Sequence, residues 1–243
     1  MRRERPHLHP PMVLMTGKMT LSLGKSVAPL AFSFVLVGGL AGCGGSTTSI
    51  TGSAPAPSPT VTVDRQAVGL VCDPDVIGEC GVGDTGPGGG VVFYDAGSVQ
   101  PWGRYLEAAP AGWSGTSEDP DTYWCDEDID IAKANSGIIG VGRNNTLQIR
   151  AVCSSGAANL ANAYAGGGKT DWFLPSKDEL NELYKQREIV GGFVLRPGTD
   201  RYPYYYSSSQ HSSDSAWYQH FDGFAQYDAP KAFKLLVRPV RAF

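Results

Sequence analysis

Gly168-Lys-Thr-Asp-Trp-Phe-Leu-Pro-Ser-Lys-Asp-Glu-Leu-Asn-Glu-Leu-Tyr184 contains the clearest local signal in the chain. Ser176 and Glu179 have capping-box spacing, in which a Ser hydroxyl and a Glu carboxylate satisfy reciprocal orphan amides at a helix start. Leu180, Leu183 and Tyr184 supply the apolar face of that helix, and Gly191-Gly192 ends it. Upstream, Ala157, Leu160, Ala161 and Tyr164 recur at i, i+3, i+4 and i+7, which predicts a second helix stopped by Gly166-Gly-Gly168. Further out lie strand-formers. Val91-Val-Phe-Tyr94 and Tyr105-Leu-Glu-Ala108 are predicted to pair as a hairpin with a long loop over 95–104. Residues 110–145, with Trp113 and Trp124, read as irregular. Tyr204-Tyr-Tyr-Ser207, Ala216-Trp-Tyr-Gln-His-Phe221 and Phe233-Lys-Leu-Leu-Val237, leading to Phe243, read as strands. Strands, two helices, then antiparallel strands predict a loop-rich α+β domain.

Composition agrees. Thirty-one Gly and 17 Pro among 243 residues exclude a long bundle or coiled coil, and 42% hydrophobic residues exclude a disordered tail. The formal charge of −4 argues against general nucleic-acid binding, which needs clustered Lys and Arg against phosphates. Charge is also uneven. Arg2, Arg3, Arg5, Lys18 and Lys25 face only Glu4 in residues 1–42, leaving the remainder at −8.

That basic start precedes an uncharged, mostly apolar run over 26–42, shorter than the roughly 20 residues a membrane span needs. It closes in Leu40-Ala-Gly-Cys43, which resembles the bacterial lipobox. The expectation is a lipoprotein signal peptide over 1–42, with Met12, Met15 or Met19 as alternative starts, and acylation of Cys43. A multiply acylated cysteine holds a protein on a membrane without spanning it, each buried methylene contributing about 0.8 kcal/mol. Residues 43–63, rich in Gly, Ser and Thr and then Pro, read as a tether, and 64–243 as one domain. Localisation on the cell envelope follows.

An exported chain with four further cysteines, Cys72, Cys80, Cys125 and Cys153, implies two disulfides. Three pairings are possible, and the sequence-local one, Cys72–Cys80 with Cys125–Cys153, is expected. Zinc is the rival, disfavoured because no Cys-x-x-Cys occurs and His211 and His220 lie far along the chain.

Several motifs fail in context. Gly81-x-Gly83-x-x-Gly86 matches a dinucleotide fingerprint, but Pro87 and more glycines follow it where a helix is needed. Gly168-Lys-Thr170 lacks the first Gly of a phosphate loop, Ala163 standing there. Asp126-x-Asp128-x-Asp130 opens like a calcium loop yet has Ile131 and Gly137 at the positions of the required Gly and Glu. No Gly-x-Ser-x-Gly elbow exists, so no catalytic residue, cofactor or metal is assigned.

A wider resemblance runs from Gly83-Asp-Thr-Gly-Pro-Gly-Gly-Gly-Val-Val-Phe-Tyr94 and Leu106-Glu-Ala-Ala-Pro110 through Gly140-Val-Gly-Arg-Asn-Asn-Thr146 to the Gly168–Tyr184 stretch. It continues in Tyr206-Ser-Ser-Ser-Gln210, Ala216-Trp-Tyr218 and Val237-Arg-Pro-Val-Arg241. Over about 160 residues the chain is similar to the Lcl C-terminal domain family, named from a Legionella collagen-like adhesin. The resemblance implies a C-type-lectin-like fold with two helices packed on a twisted antiparallel sheet, and adhesion to a glycan or surface protein. It implies core roles for Trp172 and Leu174, and for Trp217 on a central strand. The chain departs from the pattern in lacking a collagen-like stalk and any Glu-Pro-Asn, Gln-Pro-Asp or Trp-Asn-Asp calcium-lectin motif.

The expectation is therefore a non-catalytic surface lipoprotein that binds a glycan or protein through aromatic faces. Tyr204, Tyr206 and His211 are the candidates, in a segment that mixes Tyr with short polar residues; strand alternation buries either Tyr205 or its two neighbours. Lys231, Lys234, Arg238 and Arg241 form an alternative basic rim. Two other classes remain open at this point: a structural envelope protein making protein contacts only, and a degenerate enzyme on the related fold of the sulfatase-modifying enzymes, which needs a reactive cysteine pair.

Overall fold

A computed structural model describes residues 71–72, 80–194 and 202–243. The signal peptide, Cys43 and the tether expected over 43–63 lie outside the described residues. Pro59–Phe243 forms one compact unit. Its described part is α+β. The helices are α1 (Gly142–Arg150), α2 (Ala157–Ala163), α3 (Lys177–Lys185) and the short α4 (Arg187–Val190). One antiparallel sheet orders β1 (Val91–Gln100), β2 (Gly103–Ala108) and β8 (Val240–Ala242) as β1-β2-β8. The other comprises β3 (Asp121–Thr122), β4 (Tyr204–Gln210), β5 (Ser215–His220), β6 (Gln226–Pro230) and β7 (Leu235–Leu236), in the order β3-β7-β4-β5-β6. A bridge between Phe173 and Val240 ties the chain entering α3 to β8. Among the described residues no helix is long and apolar enough to cross a membrane.

Both expected helices form, but α2 ends at Ala163 with Tyr164 extended beyond it, and the second breaks after Lys185, α4 carrying the chain on to Gly191. Ser176 accepts from the Glu179 amide and Glu179 accepts from the Ser176 amide, so the capping box is complete. The expected single antiparallel sheet with two helices needs correction, because there are two sheets, β4 runs parallel to β7, and α1 adds a helix inside the resemblance. The inward face of α1 consists of Gly142, Asn145, Thr146 and Ile149. Three of the four are not apolar, so no hydrophobic period marks the helix in the sequence. Thr146 fills its place by hydrogen bonding, accepting from the Leu174 amide at 3.0 Å. The expected long loop over 95–104 is also shorter, since β1 continues with register shifts to Gln100, which pairs with Gly103 across Pro101 and Trp102.

The core has two parts. Trp124, Ile149, Leu174, Tyr206 and Val237 belong to one, and Phe93, Leu106, Phe173, Leu183, Tyr205 and Phe221 to the other. Trp172 is fully buried, its indole donating to the Gly166 carbonyl at 3.2 Å. Both expected disulfides are present, Cys72–Cys80 and Cys125–Cys153, with Cα separations of 5.7 and 5.4 Å in the usual range. Ion pairs complete the interior. Arg238 is buried and forks onto Asp119, which also accepts from the Tyr205 hydroxyl and the Trp113 indole. A buried charge must be paired and hydrogen-bonded in this way to avoid a large desolvation cost.

Candidate functional site

The register of β4, β5 and β6 decides which side chains share a face. Tyr204 lies opposite His220, Tyr206 opposite Tyr218, and Tyr218 opposite Tyr227. Side chains directly opposite point to the same side of a sheet, so these residues form one column across three strands. At one end of it the rings are half exposed. Tyr202 stacks on Tyr204 with centroids 5.3 Å apart and planes 13° apart. Tyr204 meets Tyr218 at 5.1 Å and takes His220 edge-on at 4.9 Å, and Tyr218 continues to Tyr227 at 6.0 Å. Tyr202 is 71% exposed and Tyr227 53%. The result is a shelf of four tyrosines and a histidine, with Phe224 on the adjoining β5–β6 turn 86% exposed.

Of the three candidate ligand residues, Tyr204 sits at the centre of this shelf. Tyr206 does not belong to it: the ring is fully buried and its hydroxyl donates to the Pro230 and Phe233 carbonyls, each at 3.0 Å. Burial alone pushes its phenol above the ordinary tyrosine range. Tyr205 is buried as well, so simple alternation fails here. The reason is that β4 is an interior strand with a core on each side, Tyr206 joining one and Tyr205 the other.

His211 falls elsewhere. It packs edge-on against Trp217 at 4.8 Å, on the side of β5 that receives Lys177, whose ammonium sits 3.6 Å from the centre of the Trp217 ring. Trp217 is thus half buried under a lysine at the start of α3, which corrects its expected place in the core. The same histidine nitrogen, Nδ1, lies 3.2 Å from Ser215 Oγ and 3.5 Å from Asp228 Oδ2. A nucleophilic relay needs the Ser and the carboxylate on opposite ring nitrogens, so this trio is not arranged as one.

The basic rim dissolves in the folded chain. Arg238 is paired with Asp119, and Arg241 bridges Glu107 at 2.8 Å and Asp171 at 2.5 Å. Lys231 is buried, its ammonium donating to the Ile129 carbonyl at 2.6 Å and to Gln210 Oε1 and the Ser213 carbonyl at 2.7 Å. Only Lys234 of the four is exposed. Lys231 also explains the acidic run: Asp128 and Asp130, with Asp214, hold up the pKa of an ammonium that burial lowers. The loop that opens like a calcium loop thus gives one of its carbonyls, that of Ile129, to the chain's own cation. Cys125, Asp126 and Cys153 are close enough together for a metal site, but both sulfurs are committed to their disulfide.

The glycine-rich turn has a comparable answer. Gly88 and Gly90 donate their amides to the buried Glu107 carboxylate at 2.9 Å, and a Cβ on Gly86 would overlap that carboxylate. The turn does cradle an anion, but an internal one. Glu179 plays a similar part, accepting from the amides of Gly140 at 2.8 Å, Gly142 at 3.3 Å and Ser176 at 2.7 Å. Burial nevertheless pushes its pKa up to about 7.

Sequence reasoning missed Tyr202, Tyr218, Tyr227 and His220 as shelf residues. The period-2 pattern of Tyr218 and His220 was visible, but only the pairing with Tyr204 and Tyr227 puts them beside each other. No protein-family model and no curated protein matches the chain.

Proposed function

We propose that this chain is a non-catalytic surface lipoprotein whose C-type-lectin-like domain, akin to the Lcl C-terminal family, takes a glycan or protein ligand on the tyrosine shelf. The shelf of Tyr202, Tyr204, Tyr218 and Tyr227 is the single observation that carries the reading. Half-exposed phenol rings offer flat apolar faces for sugar rings and a hydroxyl at each edge for a polar contact. Acylation of Cys43 and export through the 1–42 signal segment would hold this surface at a bacterial envelope. The pairing of all four described cysteines supports a binding module over an enzyme that needs a reactive thiol pair. Exposed Phe224 beside the shelf favours, as the second reading, an envelope protein making protein contacts only.

The test is a glycan array probed with the full chain, with and without calcium. Saturable binding that falls at least tenfold in Tyr204→Ala, with the folded circular-dichroism spectrum retained at the assay temperature, is the expected result. A blank array, or binding indifferent to Tyr204→Ala, overturns the glycan reading and leaves protein contacts.

A further inference from the structure

A cleft of about 260 Å³ opens between the β1–β2 turn and α1, away from the tyrosine column. Pro101, Trp102, Leu147 and Phe173 supply its apolar walls, and Arg143 and Asn144 its polar rim. Sites for drug-sized ligands run from roughly 300 to 1,000 Å³, so this one suits a single ring.

The groups in the cleft divide into those already used and those still free. Glu179 lies in its floor, but both carboxylate oxygens are taken by the Gly140, Gly142 and Ser176 amides, and the side chain is fully buried. It supports the floor and offers nothing to a ligand. Gly140 has φ of +92°, and a Cβ there would overlap the Trp102 indole; the missing side chain is what lets the ring lie over the loop and wall the cleft. The Arg143 and Asn144 side chains, in contrast, bond to no other group among the described residues, although both line the opening. Leu147, one turn further along α1, is half exposed beside them. The free guanidinium of Arg143, next to an exposed leucine and an indole, differs in this from Arg238 and Arg241, which are bound tightly to carboxylates.

We propose that this cleft binds a carboxylate-bearing sugar ring, with Arg143 taking the carboxylate, Asn144 the ring hydroxyls, and Trp102 with Leu147 the apolar face. Arg supplies a planar fork of donors matched to a carboxylate, which lysine does not. An amide carries a donor and an acceptor together, the pair that adjacent hydroxyls use. Indole is the side chain with most apolar surface for a ring to lie on. A single cation in the cleft, on a chain of formal charge −4, matches one carboxylate and not a polyanion. The inference goes beyond the shelf reading and rests on it only in taking a sugar as the ligand.

The experiment is saturation-transfer difference NMR on the full chain with D-glucuronate, D-glucose and a short peptide with a free C-terminal carboxylate, each titrated against wild type, Arg143→Ala, Arg143→Lys and Tyr204→Ala. Arg143 is exposed, so its substitutions leave the fold intact. Transfer to glucuronate, an affinity at least tenfold lower in Arg143→Ala, partial recovery in Arg143→Lys and no change in Tyr204→Ala are expected, with glucose giving at least tenfold weaker transfer. No transfer to glucuronate, equal binding of glucuronate and glucose, or equal binding by wild type and Arg143→Ala overturns the proposal. So does Arg143-dependent binding of the peptide without glucuronate, which assigns the cleft to a chain terminus. Loss of glucuronate binding in Tyr204→Ala alone moves the sugar to the shelf, sinking the cleft proposal while the shelf reading stands.

Discussion

Lys231 shows what a single side chain carries in this protein. Its ammonium holds three acceptors from two separate segments, Ile129 in one and Gln210 and Ser213 in the other, and lies 4.8 Å from the centre of the Trp124 ring. Removing the charge leaves those acceptors without their donor and takes a favourable charge interaction from Asp130 and Asp128. Lys231→Met, which keeps the volume, will therefore destabilise the domain by about 3 kcal/mol, the upper end for leaving buried acceptors without their donor. Urea unfolding checks this; a loss within about 0.5 kcal/mol, as at an ordinary surface position, refutes the internal role. In the sequence Lys231 looked like one of four rim cations, because nothing local indicates that residues 102 positions apart will meet.

Glu179 acts at the scale of elements, joining two helices through one carboxylate. As the N3 residue of α3 it completes that helix's capping box, and through the Gly140 and Gly142 amides it holds the start of α1, which has no side-chain cap of its own. The capping box was legible in four letters of sequence, since both partners sit within one turn. The reach to α1 was not, since it spans 37 residues. The group's pKa is raised from 4.5 to about 7, chiefly by burial, so the folded state binds this proton more tightly than the unfolded chain does. Its contribution is fully present below pH 4.5 and is lost as pH rises through 7. Relative to Glu179→Gln, wild type is thus expected to lose on the order of 3 kcal/mol between those limits. Denaturant titrations of both proteins across that window measure the difference, and a flat difference contradicts the assignment.

At the scale of the whole molecule, charge and aromatic surface are sorted to different places. Arg238, Arg241 and Lys231 are consumed by internal acids and carbonyls, while the tyrosine column reaches solvent at Tyr202 and Tyr227. A ligand on the shelf meets neutral phenols, so its affinity should change less than about threefold between roughly 50 and 500 mM NaCl, the range over which screening weakens exposed charge contacts severely. Binding measured at both salt concentrations decides this, and a tenfold fall would place the ligand on exposed charges instead. The sequence alone determined what rests on neighbours along the chain: the two helices begun at Ala157 and at Ser176, the main strand segments and the α+β class, while the choice among three cysteine pairings came from the structure. Only the tertiary structure decided which rings face solvent. A strand's period of two says that Tyr204 and Tyr206 share a face, but whether that face is covered depends on what packs over each end of it. Here the core around Trp124 covers Tyr206 and stops short of Tyr202, while a second core buries Tyr205 on the opposite side. The same holds for the ion pairs and for α1, whose inward face of Asn145 and Thr146 is stabilised by hydrogen bonds to distant backbone and carries no apolar period to read.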